Sequence, residues 1–156
     1  MVILRKRVPG TTVASLGRFL KKAAREVGVR GTVNVLVTNS RELQALNAQF
    51  RHKDKPTDVL SFPPLWKLPE DFGGDIAISA DIAARNAKML RHKSSDEVKI
   101  LILHGLLHLA GYDHERDNGV MAQKEQRLRR SLGLPTGLIE RAKVASSSRT
   151  RAIRQP

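Results

Sequence analysis

Three of the chain's five histidines, His104, His108 and His114, fall within a short stretch. If this stretch is helical, His104 and His108 lie on one face with their Cβ atoms about 6 Å apart. Both rings can then reach one ion at the zinc–nitrogen distance of roughly 2.0–2.1 Å. Gly111 can take the left-handed conformation that ends a helix, which lets His114 turn back towards the same ion. The spacing predicts a catalytic site for one Zn²⁺ ion, with three protein ligands and one open position.

Two other interpretations of the histidines compete with this one. A histidine on an apolar helix is often only a hydrogen-bonded core residue, but burying several imidazoles without a partner is costly. The spacing also resembles the metzincin motif, His-Glu-x2-His-x2-Gly-x2-His. Gly105, however, stands where a metalloprotease carries the glutamate that activates water. A metalloprotease-like hydrolase is therefore an alternative to the main interpretation.

The composition favours a polyanionic partner. Among 156 residues, 28 are lysine or arginine and 15 are aspartate or glutamate, which gives a net charge of +13. Such an excess attracts nucleic acid, and no basic amphipathic membrane anchor is evident. Aromatic residues make up only 4%, so backbone contacts should dominate binding to RNA. The chain has no cysteine, which excludes thiolate ligands and a disulfide framework.

The hydrophobic pattern predicts one α+β domain at residues 1–135, followed by a basic tail at residues 136–156 that is disordered after about residue 144. Neither a secretory signal nor an apolar stretch of about 20 residues is evident, so the protein is expected to be soluble and cytoplasmic. Strands are predicted at residues 2–8, 32–38, 58–62 and 75–79, and the polar stretch 67–74 is predicted to be a mobile connection.

Five helices are predicted, and the fourth is apolar nearly all round. It is expected to begin at a capping box opened by Ser94 and to run to about Gly111, in the middle of the domain. The other four are expected to bury one face each. The apolar residues assigned to these faces include Leu16, Leu20, Val27, Leu43, Leu46, Phe50, Ile82, Ala83, Met89, Leu90, Val120, Met121, Leu128 and Leu132. The expected architecture is a small mixed sheet covered by helices around one buried central helix.

Three sequence blocks together resemble the YbeY family. They are the segment from His104 to His114, Phe-Arg-His-Lys-Asp-Lys-Pro-Thr-Asp-Val-Leu-Ser-Phe-Pro at residues 50–63, and Gly-Asp-Ile-x-Ile-Ser at residues 74–79. The resemblance covers roughly residues 30–133. It implies a zincin-like fold and a single-strand-specific, zinc-dependent bacterial endoribonuclease. It also implies a role in rRNA maturation, including the 3′ end of 16S rRNA, and in ribosome quality control. The implied partners are rRNA, the small ribosomal subunit and ribosome-associated proteins.

The resemblance also implies roles for individual residues. Zinc ligation falls to His104, His108 and His114, and catalytic roles fall to Arg51 and His104. An arginine can hold a phosphate oxygen through two hydrogen bonds and stabilise charge in the transition state. The alternative for Arg51 is a surface ion pair with Asp54 or Asp58.

The chemistry leaves two points open. The nucleophile is either water activated at the metal or the RNA 2′-hydroxyl, and Asp113 or Glu115 could transfer protons or play an outer role. A non-catalytic ribosome assembly factor with structural zinc is the remaining alternative. In that case Asp113 or Glu115 should complete the ligand set. The sequence does not specify the oligomeric state.

Overall fold

A computed structural model describes residues 1–64 and 71–141 of the chain. The elements in these residues are, in chain order, β1 (Val2–Leu4), α1 (Val13–Val27), β2 (Thr32–Thr38), α2 (Ser40–Arg51), β3 (Val59–Phe62), β4 (Phe72–Ser79), α3 (Ala80–Leu90), α4 (Ser94–Leu109) and α5 (Val120–Ser131). No helix within them is long and apolar enough to span a membrane.

The four strands form one mixed sheet in the order β1-β2-β4-β3. β1 pairs with β2 and β2 with β4 in parallel, whereas β3 runs antiparallel to β4 and forms an edge. In β2, Val33, Val35 and Val37 are buried and alternate with more exposed residues, as the period of a strand requires. β1 and β3 are therefore the two edge strands of the sheet.

Helix α4 lies at the centre of the domain, as predicted. Ten of its sixteen residues are buried, including five consecutive apolar or histidine positions from Ile100 to His104. It contacts α1, α3, α5, β3 and β4. Gly105 permits a close approach to the sheet, because a Cβ atom at this position would lie 3.0 Å from two side-chain carbons of Ile76 on β4. The expected α+β architecture around a buried central helix is confirmed.

Capping residues in the sequence predicted several helix ends correctly. The Asn39 side chain accepts a hydrogen bond from the Glu42 backbone N–H and caps α2. Gly28 ends α1 with a φ of 91°. By contrast, the capping box expected at Ser94 is wrong. Ser94 is already the first helical residue, Lys93 is the N-cap, and no side chain caps the helix.

Four residues expected on buried helix faces are exposed. Phe50, Met89, Leu90 and Val120 retain 55%, 72%, 43% and 54% of their accessible surface. Each lies within one or two residues of a helix end. The periodicity gave the correct face for the middle of each helix but could not show how far its partner extends.

Two other boundaries differ from expectation. β1 ends at Leu4, so residues 5–8 are not strand, and β4 begins at Phe72, inside the stretch predicted as a connection. Pairing of β4 with β2 continues to Thr32 and extends the strand into that stretch. Residues 67–70 of the predicted connection, and the tail beyond residue 141, lie outside the described residues.

The chain continues to pack on the domain beyond the predicted boundary at residue 135. Leu134 and Ile139 belong to the hydrophobic core, each with 6% of its surface exposed. Residues 138–141 are helical. The segment around the predicted boundary therefore packs against the domain as far as Arg141.

Candidate metal centre

The three histidines converge at the end of α4. The Nε2 atoms of His104 and His108 are 3.1 Å apart, and one nitrogen of His114 lies within 4.8 Å of each. The His114 ring centroid is 5.5 Å from each of the other two. Gly111 has a φ of 97°, and this left-handed turn brings His114 back over the helix end, as the sequence predicted.

Each helical histidine is oriented through its other ring nitrogen. His104 Nδ1 lies 3.0 Å from Glu125 Oε2 on α5, and His108 Nδ1 lies 3.1 Å from the Tyr112 carbonyl oxygen. With an acceptor at each Nδ1, the proton of a neutral imidazole resides there and Nε2 keeps its lone pair. Both lone pairs therefore point into the same space, as metal ligands require.

Burial lowers the pKa of His108, and the neighbouring charges of His104 and His114 lower it further. A lowered pKa keeps this imidazole neutral at pH 7, which is the form that binds metal. The donor set fits a divalent ion of borderline softness, because three imidazole nitrogens converge and two of the rings are held by acceptors. His104, His108 and His114 would hold such an ion.

Within the described residues, the group of candidate ligands contains these three histidines and no carboxylate. The Asp113 side chain accepts a hydrogen bond from the Glu115 backbone N–H at 3.1 Å, and both residues are exposed. A structural metal site is normally closed by a fourth protein ligand, so this geometry resembles an open catalytic site.

Glu125 is a residue of the site that the sequence analysis did not identify. It is 1% exposed and is the carboxylate that holds His104. The signal was present in α5, because Met121, Glu125 and Leu128 follow the spacing of one buried helix face. A charged residue at a core position of this pattern requires a partner, and that partner lies on another helix.

Arg51 faces the histidines across a small pocket of about 150 Å³. The pocket is lined by Arg51, Val59, Leu60, Ser61, His104, Gly105 and His108. Arg51 Nη2 donates a hydrogen bond of 2.5 Å to the Ser61 carbonyl oxygen at the β3 edge. Its guanidinium carbon also lies 5.9 Å from the centre of the Phe62 ring.

The predicted alternative for Arg51, an ion pair with Asp54 or Asp58, is not formed within residues 1–64 and 71–141. Asp54 instead accepts a hydrogen bond of 3.0 Å from the Gln44 amide. Arg51 also borders a second hollow, of about 200 Å³, whose wall includes Lys53 and Lys55. One arginine therefore connects the histidine pocket with a basic depression.

Asp58 was not predicted to have an unusual environment. Burial raises its pKa, and the charges of His104 and Arg141 partly counteract this effect. Asp58 belongs to the sequence block at residues 50–63. It is thus a desolvated carboxyl group whose pKa is affected by the charge of His104. No direct hydrogen bond joins Asp58 to a histidine among the described residues.

The fold and the centre define a class of proteins in which a buried helix and the turn after it present three histidines beside an arginine. Comparison with known proteins identifies the family within this class. The family model described as Endoribonuclease YbeY matches residues 7–133, and the chain belongs to this family. This confirms the resemblance inferred from the three sequence blocks.

Individual relatives agree over most of their length. A protein named Endoribonuclease YbeY from Koribacter versatilis is 55% identical over 141 residues, which cover 90% of this chain and 91% of the relative. A protein of the same name from Nautilia profundicola is 50% identical over 70% of this chain and 78% of its own. The solution structure of TM1509 from Thermotoga maritima matches with a TM-score of 0.57 and 32% identity. The match covers 81% of this chain and 85% of that one.

Proposed function

We propose that this protein is an endoribonuclease that cleaves single-stranded RNA and depends on one Zn²⁺ ion held by His104, His108 and His114. The observation that carries the proposal is that Arg51 lines the same pocket as His104 and His108. A convergent metal-ligand set beside a cation suits phosphodiester cleavage, because both can stabilise negative charge that develops on the phosphate. Relatives named as endoribonucleases support the reaction class.

The pocket suits a phosphate group. Its volume of about 150 Å³ is below the 300–1,000 Å³ typical of sites that enclose a whole small molecule. The nucleosides on either side of the scissile phosphate must therefore lie outside it. In the adjoining hollow, Lys53 and Lys55 supply positive charge for a neighbouring phosphate. This arrangement favours backbone recognition of an extended strand.

Peptide hydrolysis is the less suitable reaction. Gly105 replaces the glutamate of the metalloprotease motif, and even a Cβ atom there would lie 3.0 Å from the Ile76 side chain. A net charge of +13 also favours a polyanionic substrate. An enzyme acting on RNA therefore fits both the site and the surface.

In this proposal each residue of the site has its own role. Arg51 binds a non-bridging phosphate oxygen and stabilises the negative charge that grows on it during the reaction. Glu125 and the Tyr112 carbonyl fix the orientation of His104 and His108. A divalent ion held by His104, His108 and His114 would supply Lewis-acid stabilisation of the developing negative charge. His104 would take part in catalysis as a ligand of that ion, through the nitrogen that Glu125 leaves free.

We further propose that the substrate is rRNA, including the 3′ end of 16S rRNA, and that the protein works on or near the small ribosomal subunit in the cytoplasm. The family membership and the excess positive charge support this assignment. Protein partners associated with the ribosome fit the same role.

The test is a cleavage assay on a single-stranded RNA and its duplex form, with wild-type protein, His108→Ala and Arg51→Ala. The proposal expects zinc-dependent internal cleavage of the single strand and its loss in both variants. Undiminished cleavage by folded His108→Ala would overturn it. The product ends identify the nucleophile, because a 2′,3′-cyclic phosphate excludes direct attack by water.

A further inference from the structure

The C-terminal strap, defined here as residues 137–141, lies beyond the segment that the family model matches. It nevertheless reaches two buried carboxylates, Glu125 on α5 and Glu97 on α4. These acids are 1% and 0% exposed. Burial of a carboxylate costs free energy unless each of its oxygens accepts a hydrogen bond. The strap therefore supplies contacts that both acids need.

The first contact lies directly behind the metal centre. The Ile139 backbone N–H donates a hydrogen bond of 2.7 Å to Glu125 Oε1. The other oxygen, Oε2, is the one that contacts His104 Nδ1 at 3.0 Å. The two bonds fix the carboxylate at both oxygens, so the plane of the carboxylate, and with it the angle of the His104 ring, depends on the strap.

Gly137 packs tightly against the Glu125 side chain. A Cβ atom at this position would lie 2.5 Å from Glu125 Oε1 and 3.0 Å from its Cγ. A flexible carboxylate could turn away, but this one is buried and bonded at both oxygens. Any shift that makes room for a methyl group must lengthen the bond to Ile139 or the contact with His104.

The second contact anchors the strap further along α4. Arg141 holds Glu97 with both arms of its guanidinium, at 2.5 and 2.8 Å, and His92 Nε2 lies 2.6 Å from the same carboxylate. Glu97 and His104 are seven residues apart, so they lie on one face of the helix, two turns from each other. The strap therefore contacts α4 at Glu97, on the helix face that also carries His104.

We propose that the C-terminal strap is a positioning element of the metal centre. The Ile139 N–H holds the Glu125 carboxylate against His104, Gly137 leaves the space that this carboxylate occupies, and Arg141 fastens the strap to α4 through Glu97. The inference rests on the proposed metal-binding role of the three histidines. It adds that the affinity of this centre for metal depends on residues that contact neither the metal nor the RNA.

The test measures zinc affinity of the full-length chain by competition with a chelating dye. Gly137→Ala is the main variant, because it removes no polar group and only displaces the carboxylate. Loss of an outer contact typically weakens metal binding about 10- to 100-fold, and a weakening in this range is expected. Gly17→Ala is the matched control, because nothing lies within 4 Å of a Cβ atom there. It should leave the affinity unchanged.

A double-variant experiment separates positioning from general damage to the fold. In a Glu125→Ala background there is no carboxylate to displace, so adding Gly137→Ala should cause no further loss of affinity. Full additivity of the two losses, or wild-type affinity in folded Gly137→Ala, would overturn the proposal.

A metal-free readout covers the case in which Glu125→Ala does not fold. Nitrogen NMR of the apo protein should show a proton at His104 Nδ1 in wild type and a changed Nδ1 signal in Gly137→Ala. An unchanged signal counts against the strap. If wild-type protein binds no zinc, the metal centre itself fails, and this outcome differs from zinc binding that is retained but insensitive to Gly137.

Discussion

The histidine centre and the basic loop, residues 51–57, border the same pocket but are built in different ways. His104 is buried, and acceptors orient both it and His108. The residues of the basic loop from Arg51 to Pro56 are exposed, and its two lysines line an open hollow. The first region is preorganised and the second is adaptable. A metal needs fixed ligands, whereas an RNA strand needs charges that can follow it.

This comparison leads to a different prediction for each region. Changes in the histidine centre should affect metal binding and cleavage together. Changes in the basic loop should affect cleavage or RNA binding while the metal stays bound. A basic-loop substitution that removes the metal, or a substitution in the histidine centre that separates metal binding from cleavage, would contradict this comparison.

The largest effect is expected from His108→Ala. Loss of a ligand should weaken zinc binding and cleavage by more than the roughly 100-fold that loss of an outer contact can cost. Elemental analysis after dialysis and a cleavage assay measure the two quantities. Near-normal zinc content in the variant would show that the three histidines do not form the site.

Arg51→Ala should reduce cleavage by about 100-fold or more, a typical cost of removing one group that stabilises transition-state charge. Zinc content and thermal stability should stay at wild-type values, because the side chain is exposed and its hydrogen bond goes to one carbonyl. Arg51→Lys is the matched control, and it should restore only part of the activity because lysine cannot hold phosphate through a planar fork. A parallel loss of zinc from Arg51→Ala would contradict the division of roles.

Gly105→Glu should destabilise the fold and create no peptidase. Its Cβ atom would lie 3.0 Å from Ile76, and overpacking of this kind costs about 1–3 kcal/mol. Denaturant unfolding measures the loss, and Gly17→Ala serves as the control at an open position. Peptide cleavage by a stable Gly105→Glu variant would revive the protease alternative.

The double variant Lys53→Ala, Lys55→Ala should weaken RNA binding modestly and reduce its dependence on salt. Each phosphate contact to a single strand contributes about 0.7 to the slope of log affinity against log salt, so the slope should fall by about 1.4. Binding titrations between low and high salt measure this value. An unchanged slope would mean that the basic loop does not contact the RNA backbone.

The smallest effect concerns pH and the strap behind the histidine centre. The hydrogen bond from Arg129 lowers the pKa of Glu140 below its ordinary value. The folded state therefore binds this proton less readily than the unfolded state. The stability from this pair is full above the ordinary pKa and is lost as pH falls through the lowered one.

Both side chains of that pair are partly exposed, so the contribution should be below about 1 kcal/mol. Denaturant unfolding of wild type and Glu140→Gln at pH 7 and pH 3 should show a difference at pH 7 that shrinks at pH 3. A difference that grows on acidification would have the wrong sign.

The sequence was most informative where local chemistry decides the structure. The spacing of His104, His108 and His114, with a glycine for the turn, predicted convergence correctly because one helix and its C-terminal cap contain the whole pattern. β2 was predicted with its observed bounds, since alternation of buried valines is a local property. The central position of α4 followed from its apolar circumference.

The parts that could not be predicted depend on contacts between distant segments. Glu125 is 21 residues from His104, and Ile139 is a further 14 residues along the chain. No short-range pattern indicates that these three groups meet. In the same way, exposure of Phe50 and Met89 depends on where a neighbouring element ends, which periodicity within one helix does not record.

The most direct test of the account is a zinc titration of metal-free protein, followed by cleavage of a single-stranded RNA, for wild type and Arg51→Ala in parallel. We predict that wild-type activity rises and saturates at one ion per chain. Arg51→Ala should bind the same single ion with the same affinity and stay nearly inactive. Full cleavage by wild-type protein kept free of metal would contradict the central claim that three histidines and one arginine form a single catalytic site.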